Sequence, residues 1–495
     1  MSIQTISAEQ ATGQLQFPTG FSWGAATAAY QIEGAIHADG RLPSIWDVFC
    51  QTPGRVAGGD TGEIACDHYH RLEADLDLMA ELGLQSYRFS VSWPRVIPGG
   101  SGPVNQAGLD FYQRLVDGLL ARGIRPQLTL YHWDLPQSLH NDGGWTSRQT
   151  VDHFVDFAVA VGTALGDRVP GITTLNEPFC SAFDGYAVGQ HAPGETDRHA
   201  ALTAAHHLNL AHGRAISALR SITKAQLSIT LNLAQLYPAS DSAADRAATE
   251  HVDRLANRIF LDPIFAGHYP APLLAETSHL SDWAFIADGD LAEINVPIDT
   301  LGVNYYSPAT IAAASDELRA QASGSVLDDG SGPAEWPGTD LAFTVPMPAP
   351  HTGMGWPIRP QSFTDLLLRV HRDLPGTPIY ITENGAAFDD EVGDDGAVHD
   401  PDRIAYVRDH LAAVHAAIEA GADIRGYYLW SFMDNFEWAW GYAKRFGMVH
   451  IDYQSLRRTP KDSARWYAEV IANNAIELPP DGVQAPTVSG CDTGQ

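Results

Sequence analysis

Residues 377–385 read TPIYITENG and residues 171–178 read GITTLNEP, and these two stretches decide the fold. Each contains a short apolar, β-branched run, PIYIT (378–382) and GITTL (171–175), of the kind that suits a strand of a parallel sheet buried on both faces. Each run stops on a Glu–Asn pair: Asn176–Glu177 in the first, Glu383–Asn384 in the second. A rigid strand therefore projects each carboxylate.

Outward from these stretches, β-like runs recur along the chain. Candidate strands are 21–31, 86–92, 127–132, 172–177, 226–232, 300–306, 378–383 and 425–431. Helix-like segments lie between them, among them 71–82, 107–122, 148–165, 199–220, 363–373 and 402–420. In the last of these, Ile404, Val407, Leu411 and Val414 recur at spacings of three and four, predicting one buried helix face. Eight strands alternating with helices predict an α/β fold, a single (β/α)8 TIM barrel with long βα loops. A doubly wound sheet competes, but no GxGxxG or GxxxxGK[ST] turn follows the first strand. Residues 1–475 are expected to form the barrel domain and 476–495 a Pro/Gly-rich, loosely held tail. The stretch 307–360, rich in Ala, Ser, Asp, Gly and Pro, is too long for a compact connection and predicts a lid, a binding loop or disorder.

The bulk properties exclude some classes of function. Of 495 residues, 30 are Lys or Arg and 60 are Asp or Glu, a net charge of −30. No basic footprint offers itself to a nucleic acid or an anionic membrane, so neither is expected as a partner. Four scattered cysteines (Cys50, Cys66, Cys180, Cys491) make neither a disulfide framework nor a CxxC pair, and reduced thiols are expected. The N-terminus lacks a basic region followed by an apolar run, and no segment approaches the about 18 consecutive apolar residues of a membrane helix. A cytoplasmic location is the expectation.

The strand ends carry the chemistry. In chain order they present Gln31, Arg88, His132, Asn176–Glu177, Asn304–Tyr306, Glu383–Asn384 and Trp430. In a barrel these ends converge on one face, where active sites of such barrels lie. One polar strand end means little, since a lone Glu there is ordinarily a helix cap or a surface charge. Two glutamates beside asparagines within such a constellation suit glycosidic bond cleavage. One protonated carboxyl serves the leaving oxygen, and one carboxylate faces the anomeric carbon.

The chain resembles the glycoside hydrolase family 1 β-glucosidases in ordered motifs over nearly its whole length. TLNEP and ITENG match the family's two signature segments, and FSWGAATAAYQIEG (21–34) resembles its N-terminal signature. SYRFSVSWPR (86–95), LYHWDLP (130–136), LGVNYY (301–306) and YYLWSFMDNFEW (427–438) match as well. Residues 307–352 and about the last twenty lie outside the match. The resemblance implies a (β/α)8 fold, a retaining mechanism, no cofactor and no metal. It implies Glu177 as acid/base, Glu383 as nucleophile, and Arg88 and Tyr306 as the neighbours that keep Glu383 ionised. Gln31, His132, Asn176, Glu437 and Trp438 match residues that hydrogen-bond the terminal sugar, with Asn176 expected at its 2-hydroxyl. Asn304 lies in the same matched set. Trp430 matches the aromatic platform beneath the sugar, while Trp356 and Phe446 match leaving-group contacts, the family's variable side.

The implied substrate is a small β-glycoside with a terminal non-reducing β-D-glucosyl residue, including cello-oligosaccharides. Galactosides and fucosides differ by single hydroxyls and are not separated by the sequence. A 6-phospho-β-glycosidase is the nearest rival. It needs cationic groups near the sugar 6-position, where this chain has Glu437 and Trp438, although Lys444 is close in sequence. A carbohydrate-binding relative without activity would lack one of the glutamates, and both are present. The DHYH run (67–70) has a metal-like look, but its histidines and His206–His207 read as structural. Whether copies assemble into a homo-oligomer is not readable.

Overall fold

A computed structural model describes residues 13–322 and 332–479. Eight parallel strands close into a barrel: β1 (Ser22–Ala26), β2 (Ser86–Ser90), β3 (Arg125–Tyr131), β4 (Gly171–Asn176), β5 (Gln226–Asn232), β6 (Thr300–Asn304), β7 (Ile379–Asn384) and β8 (Ile424–Trp430). Each strand pairs with its neighbours in sequence, and β8 closes onto β1. Helices follow the strands in turn: α1 (His68–Glu81), α2 (Gln106–Ala121), α3 (Arg148–Leu165), α4 (Arg198–Arg220), α5 (Ala243–Asp253), α6 (Pro360–Asp373), α7 (Pro401–Glu419) and α8 (Asp462–Asn473). This is the (β/α)8 architecture the alternation predicts.

Local chemistry explains the main helices. Pro360 and Pro401 begin α6 and α7, where a missing N–H costs nothing and a fixed φ is already helical. Asp197 caps α4 by accepting from the N–H groups of His199 and Ala200. The buried face of α7 differs in detail from expectation. Tyr406, Val407, His410, Leu411 and Val414 are buried, whereas Ile404 is only half-buried, because Arg403 takes the inward position beside it. Helix α4 is buried almost all round, since the chain between β5 and β6 folds back over it.

One strand expectation needs correction. The run 21–31 is not one strand: β1 ends at Ala26, and Gln31 lies on a separate helical turn, Ala29–Ile32. That turn, rather than a strand end, delivers Gln31. Within the stretch 307–360 the described residues include regular structure. Ala309–Ala313, Ala342–Val345 and Ala334–Glu335 form a small sheet with Leu236–Pro238, and residues 323–331 lie outside the described residues. The domain limit placed at 475/476 falls inside a strand, Ala475–Glu477, which pairs antiparallel with Gln14–Gln16. Ordered chain thus extends past that limit, and the tail beyond residue 479 lies outside the described residues.

The barrel interior is less apolar than the strand sequences suggest. Hydroxyls thread it: Thr173 Oγ1 to Ser228 Oγ at 2.8 Å, Ser86 Oγ to Tyr428 Oη at 2.9 Å, Thr230 Oγ1 to Thr382 Oγ1 at 3.3 Å. The apolar residues of the alternating register face the helices instead, as Ile172, Leu175, Leu227 and Ile381 do in the core. Among the described residues, Cys50, Cys66 and Cys180 are free, buried thiols. No helix among them is long and apolar enough to cross a membrane.

Candidate active site

Backbone irregularities shape the two carboxylate-bearing strand ends. The pairing of β7 with β6 slips between Ile381 and Glu383, and that of β4 with β5 slips between Thr173 and Asn176. A bulge re-aims side chains that strict alternation would send to opposite faces. Thr382 and Glu383 consequently both reach inward: Thr382 Oγ1 donates to Asn304 Oδ1 at 2.7 Å, while Glu383 meets Arg88 and Tyr306. Glu177 has φ of 47°, in the left-handed region that a side chain rarely adopts, and its N–H donates to the Thr230 carbonyl at 3.0 Å. Such a conformation persists only where surrounding structure enforces it. Gly385, just past the second carboxylate, leaves room for a close strand crossing. A Cβ there would stand 1.7 Å from the Trp430 carbonyl oxygen.

The carboxylates are linked by one hydrogen-bonded chain. Arg88 Nη1 donates to Glu383 Oε1 at 2.6 Å, and its Nη2 donates to Asn176 Oδ1 at 2.6 Å. Tyr306 Oη donates to Glu383 Oε2 at 2.7 Å. Asn304 Nδ2 donates to Glu177 Oε1 at 2.7 Å and lies 3.2 Å from Asn176 Oδ1. The other oxygen of Glu177 accepts a long contact from Cys180 Sγ at 3.5 Å. Asn176 Nδ2 donates to His132 Nε2 at 3.1 Å, which leaves the His132 Nδ1 as its N–H, without a protein partner.

Electrostatics separate the two acids. Burial pushes both upward in pKa, and the nearby charge of Glu383 raises Glu177 further. For Glu383 the guanidinium of Arg88 and the hydroxyl of Tyr306 act in the opposite sense. Glu383 is therefore the first of the pair to ionise, and Glu177 keeps its proton. His132 is held neutral, its pKa lowered by burial and by Arg88. Glu437, also buried, is pushed up to about 8 by desolvation and by the charge of Glu383.

These groups bound a cavity of about 370 Å³ at the C-terminal mouth of the barrel. His132, Glu177, Asn304, Tyr306, Trp356, Glu383, Trp430, Glu437, Trp438 and Phe446 line it. Gln31, Arg88 and Asn176 are buried within the same constellation and act behind the wall. Gln31 Nε2 donates to the Phe436 carbonyl at 2.9 Å, leaving its Oε1 unpartnered. Trp430 stacks on His132 with ring centroids 5.8 Å apart. Trp356, Phe446 and Tyr306 form a triangle of rings with centroids 5.4 to 6.1 Å apart, so both variable-side residues reach the site.

The family model for glycosyl hydrolase family 1 matches residues 13–476. The chain belongs to glycosyl hydrolase family 1. Among family 1 relatives, a thermostable β-glucosidase B from Thermobispora bispora is 49% identical, over 95% of this chain and 93% of that protein. A bifunctional β-D-glucosidase/β-D-fucosidase from Bifidobacterium breve is 48% identical, over 93% of this chain and 99% of that protein. The crystal structure of a psychrophilic β-glucosidase from Micrococcus antarcticus superposes with a TM-score of 0.89 at 48% identity, covering 93% of this chain and 98% of that one. The family 1 β-glucosidase from Thermotoga maritima with isofagomine lactam gives 0.87 at 42% identity, covering 94% and 100%. As a family 1 member the chain is a retaining β-glycosidase, and β-glucosidase is the activity that recurs among these relatives.

The family 1 site also holds residues that the sequence reading passed over. Trp133, His191, Cys180, Asp184, Trp336 and Trp440 line the cavity. Trp133 could have been read from its place in LYHWDLP, between a cavity-lining His and a buried Asp. Its ring packs on Trp438 at 4.5 Å, and its Nε1 donates to the Asn176 carbonyl at 2.9 Å. Trp336 sits in the stretch outside the family motifs, where no spacing signalled a role. Three of the four histidines set aside as structural are so placed, whereas His70 is exposed and pairs with Asp67 at the surface. His68 pairs with Asp75 at 2.7 Å, His206 with Asp290 at 2.9 Å, and His207 bonds the Trp145 carbonyl at 2.9 Å. No cluster of metal-ligating side chains occurs among the described residues.

Proposed function

We propose that the chain hydrolyses terminal β-D-glucosyl residues of small β-glycosides by double displacement, with Glu383 as nucleophile and Glu177 as acid/base. The observation that carries this assignment is the unequal treatment of the two buried carboxyls. Glu383 receives a guanidinium and a phenol, whereas Glu177 receives an amide and a weak thiol contact. The first suits an ionised group facing the anomeric carbon, and the second a group that holds a proton for the leaving oxygen. When Glu383 becomes glycosylated its charge vanishes, the proton affinity of Glu177 falls, and Glu177 can act as base toward water.

Sugar recognition follows from atoms left without partners. Gln31 Oε1, His132 Nδ1 and Glu437 Oε2 are buried and unpaired, an arrangement that is costly unless hydroxyls complete it. Asn176 supports the 2-hydroxyl contact, Asn304 steers Glu177, Trp430 gives an apolar platform, and Trp438 closes the glycone end. Trp356 and Phe446 serve the leaving group. Glu437, a buried carboxyl with no cation beside it, disfavours a 6-phosphorylated sugar, because a phosphate dianion there would be desolvated without a counter-charge. Lys444 does not offset it, since its ammonium bonds the Gly353 carbonyl, stands 4.7 Å over the Trp440 ring and lies outside the cavity wall. The acidic surface and small cavity fit a soluble disaccharide or aryl glycoside met in the cytoplasm, with neither nucleic acid nor membrane as partner.

Hydrolysis of p-nitrophenyl β-D-glucoside beside its 6-phosphate, galactoside and fucoside counterparts tests this reading. The expected result is turnover of the unphosphorylated glucoside with β-glucose released first, as followed by NMR. First release of α-glucose would overturn the nucleophile assignment, and turnover of the phosphate alone would overturn the reading of Glu437.

A further inference from the structure

Six charged side chains form a buried network outside the cavity wall. Lys461 Nζ donates to Asp390 Oδ2 at 2.6 Å and to Asp434 Oδ1 at 2.8 Å. Arg403 bonds Asp390 at 2.6 and 3.0 Å, Asp400 at 2.5 Å and the Arg445 carbonyl at 2.8 Å. Arg445 Nη1 donates to Asp434 Oδ2 at 2.7 Å. The side chains of Arg403, Asp400, Asp434 and Lys461 are wholly buried, and only Arg445 is partly exposed. Three cations meet three anions, so the cluster is neutral as a whole.

Such a network contributes little net stability, because desolvation offsets attraction and apolar packing would serve as well. What it does distinctively is join segments that lie apart in sequence. Asp434 accepts from the Gly447 N–H at 3.0 Å, so Asp434 and Arg445–Gly447 form the neck of a loop. A Cβ on Gly447 would lie 1.9 Å from the Asp434 nitrogen, a measure of how tightly the neck is drawn. The loop above the neck carries Glu437 and Trp438, and its Asn435 accepts from Gln31 Nε2 at 3.1 Å. None of Asp390, Asp400, Arg403, Asp434 or Lys461 lines the cavity.

We infer that Asp434, held between Lys461 and Arg445, is a positioning residue for sugar recognition, and that the network sets the Glu437 carboxyl against the hydroxyl at the 6-position of the terminal sugar. This rests on the sugar-binding reading of Glu437. Loosening the neck moves Glu437 while leaving Glu177, Glu383 and their partners on β4, β7, β2 and β6 in place. The loss therefore falls on substrates that carry the 6-hydroxyl. A role in stability alone would weaken all substrates alike.

The test compares kcat/KM for p-nitrophenyl β-D-glucoside and its 6-deoxy counterpart in wild type, Lys461→Met, Arg445→Met and Glu437→Ala. In Lys461→Met and Arg445→Met the ratio of the two is expected to fall by about tenfold, the scale of one hydrogen bond, mainly through KM for the glucoside. The 6-deoxy substrate is expected to change by less than about threefold. Arg445→Met, at the partly exposed site, carries the test if Lys461→Met does not fold, and Arg445→Lys is expected to restore the ratio. Equal losses on both substrates, or an unchanged ratio in a folded network variant while Glu437→Ala collapses it, would overturn the positioning role alone. An unchanged ratio in Glu437→Ala would overturn the reading of Glu437 and the network's role with it.

Discussion

Arg88 and Glu383 form a 2.6 Å ion pair inside the barrel, with both side chains almost wholly buried. The same guanidinium holds Asn176 at 2.6 Å, so one residue on β2 aligns the strand ends of β4 and β7. A buried carboxylate deprived of its cation is costly, and this fixes what losing Arg88 should do.

Arg88→Met is expected to destabilise the fold by about 3–5 kcal/mol, since the Glu383 charge is left buried and unpaired. Denaturant unfolding measures it. Arg88→Lys should fold better yet remain catalytically poor, because a single ammonium cannot span Glu383 and Asn176 as the planar fork does.

Tyr306→Phe removes the 2.7 Å hydroxyl donor to Glu383. A donor to the ionised form lowers a carboxyl pKa, so its loss raises that of Glu383. The acid limb of the kcat/KM profile should move to higher pH, with a loss of about 10- to 100-fold at the optimum. An unmoved acid limb would show that the phenol does not act on the nucleophile.

Much of this was legible in the sequence. Glu177 and Glu383 follow strands whose apolar runs are unmistakable, and matched motifs bring Arg88, His132, Asn304 and Tyr306 to one cavity wall or directly behind it. Gln31 reached the right place for a different reason, on a helical turn after β1 rather than on the strand. The bulges in β4 and β7 left no mark in the alternation of residue types, because every residue near them is buried on one side or the other. Asp390, Arg403 and Lys461 lie 71 or fewer positions apart in sequence, and their charges read individually as surface. Only folding shows them buried together. Trp336 depends on the small sheet of Leu236–Pro238, Ala309–Ala313, Ala334–Glu335 and Ala342–Val345, which no periodicity announced.

Glu437 has a folded pKa of about 8 against an ordinary 4.5. A carboxyl with a raised folded pKa contributes stability that is present below 4.5 and lost as pH rises toward 8. Glu437→Gln cannot ionise, so its Tm should fall less steeply than that of wild type between those limits, and it should be the more stable protein near pH 8. Parallel Tm profiles would contradict the burial of an uncompensated acid at this position.

Glu177, with its pKa raised by burial and by Glu383, should set the alkaline limb of kcat/KM, activity falling as pH rises through it. Glu177→Ala should lose that limb. It should also retain most of the glycosylation rate with a dinitrophenyl leaving group, which needs no proton, while losing several orders of magnitude with poor leaving groups. Equal losses across leaving groups would place the acid elsewhere.

The most direct measurement is to trap the glycosyl-enzyme with 2-deoxy-2-fluoro-β-D-glucosyl fluoride, whose electron-poor sugar slows turnover, and to map the label by peptide mass spectrometry. Time-dependent inactivation with one fluoroglucosyl group on Glu383 is the predicted result. A label on Glu177, or loss of activity with no covalent adduct, would contradict the assignment of Glu383 as the nucleophile.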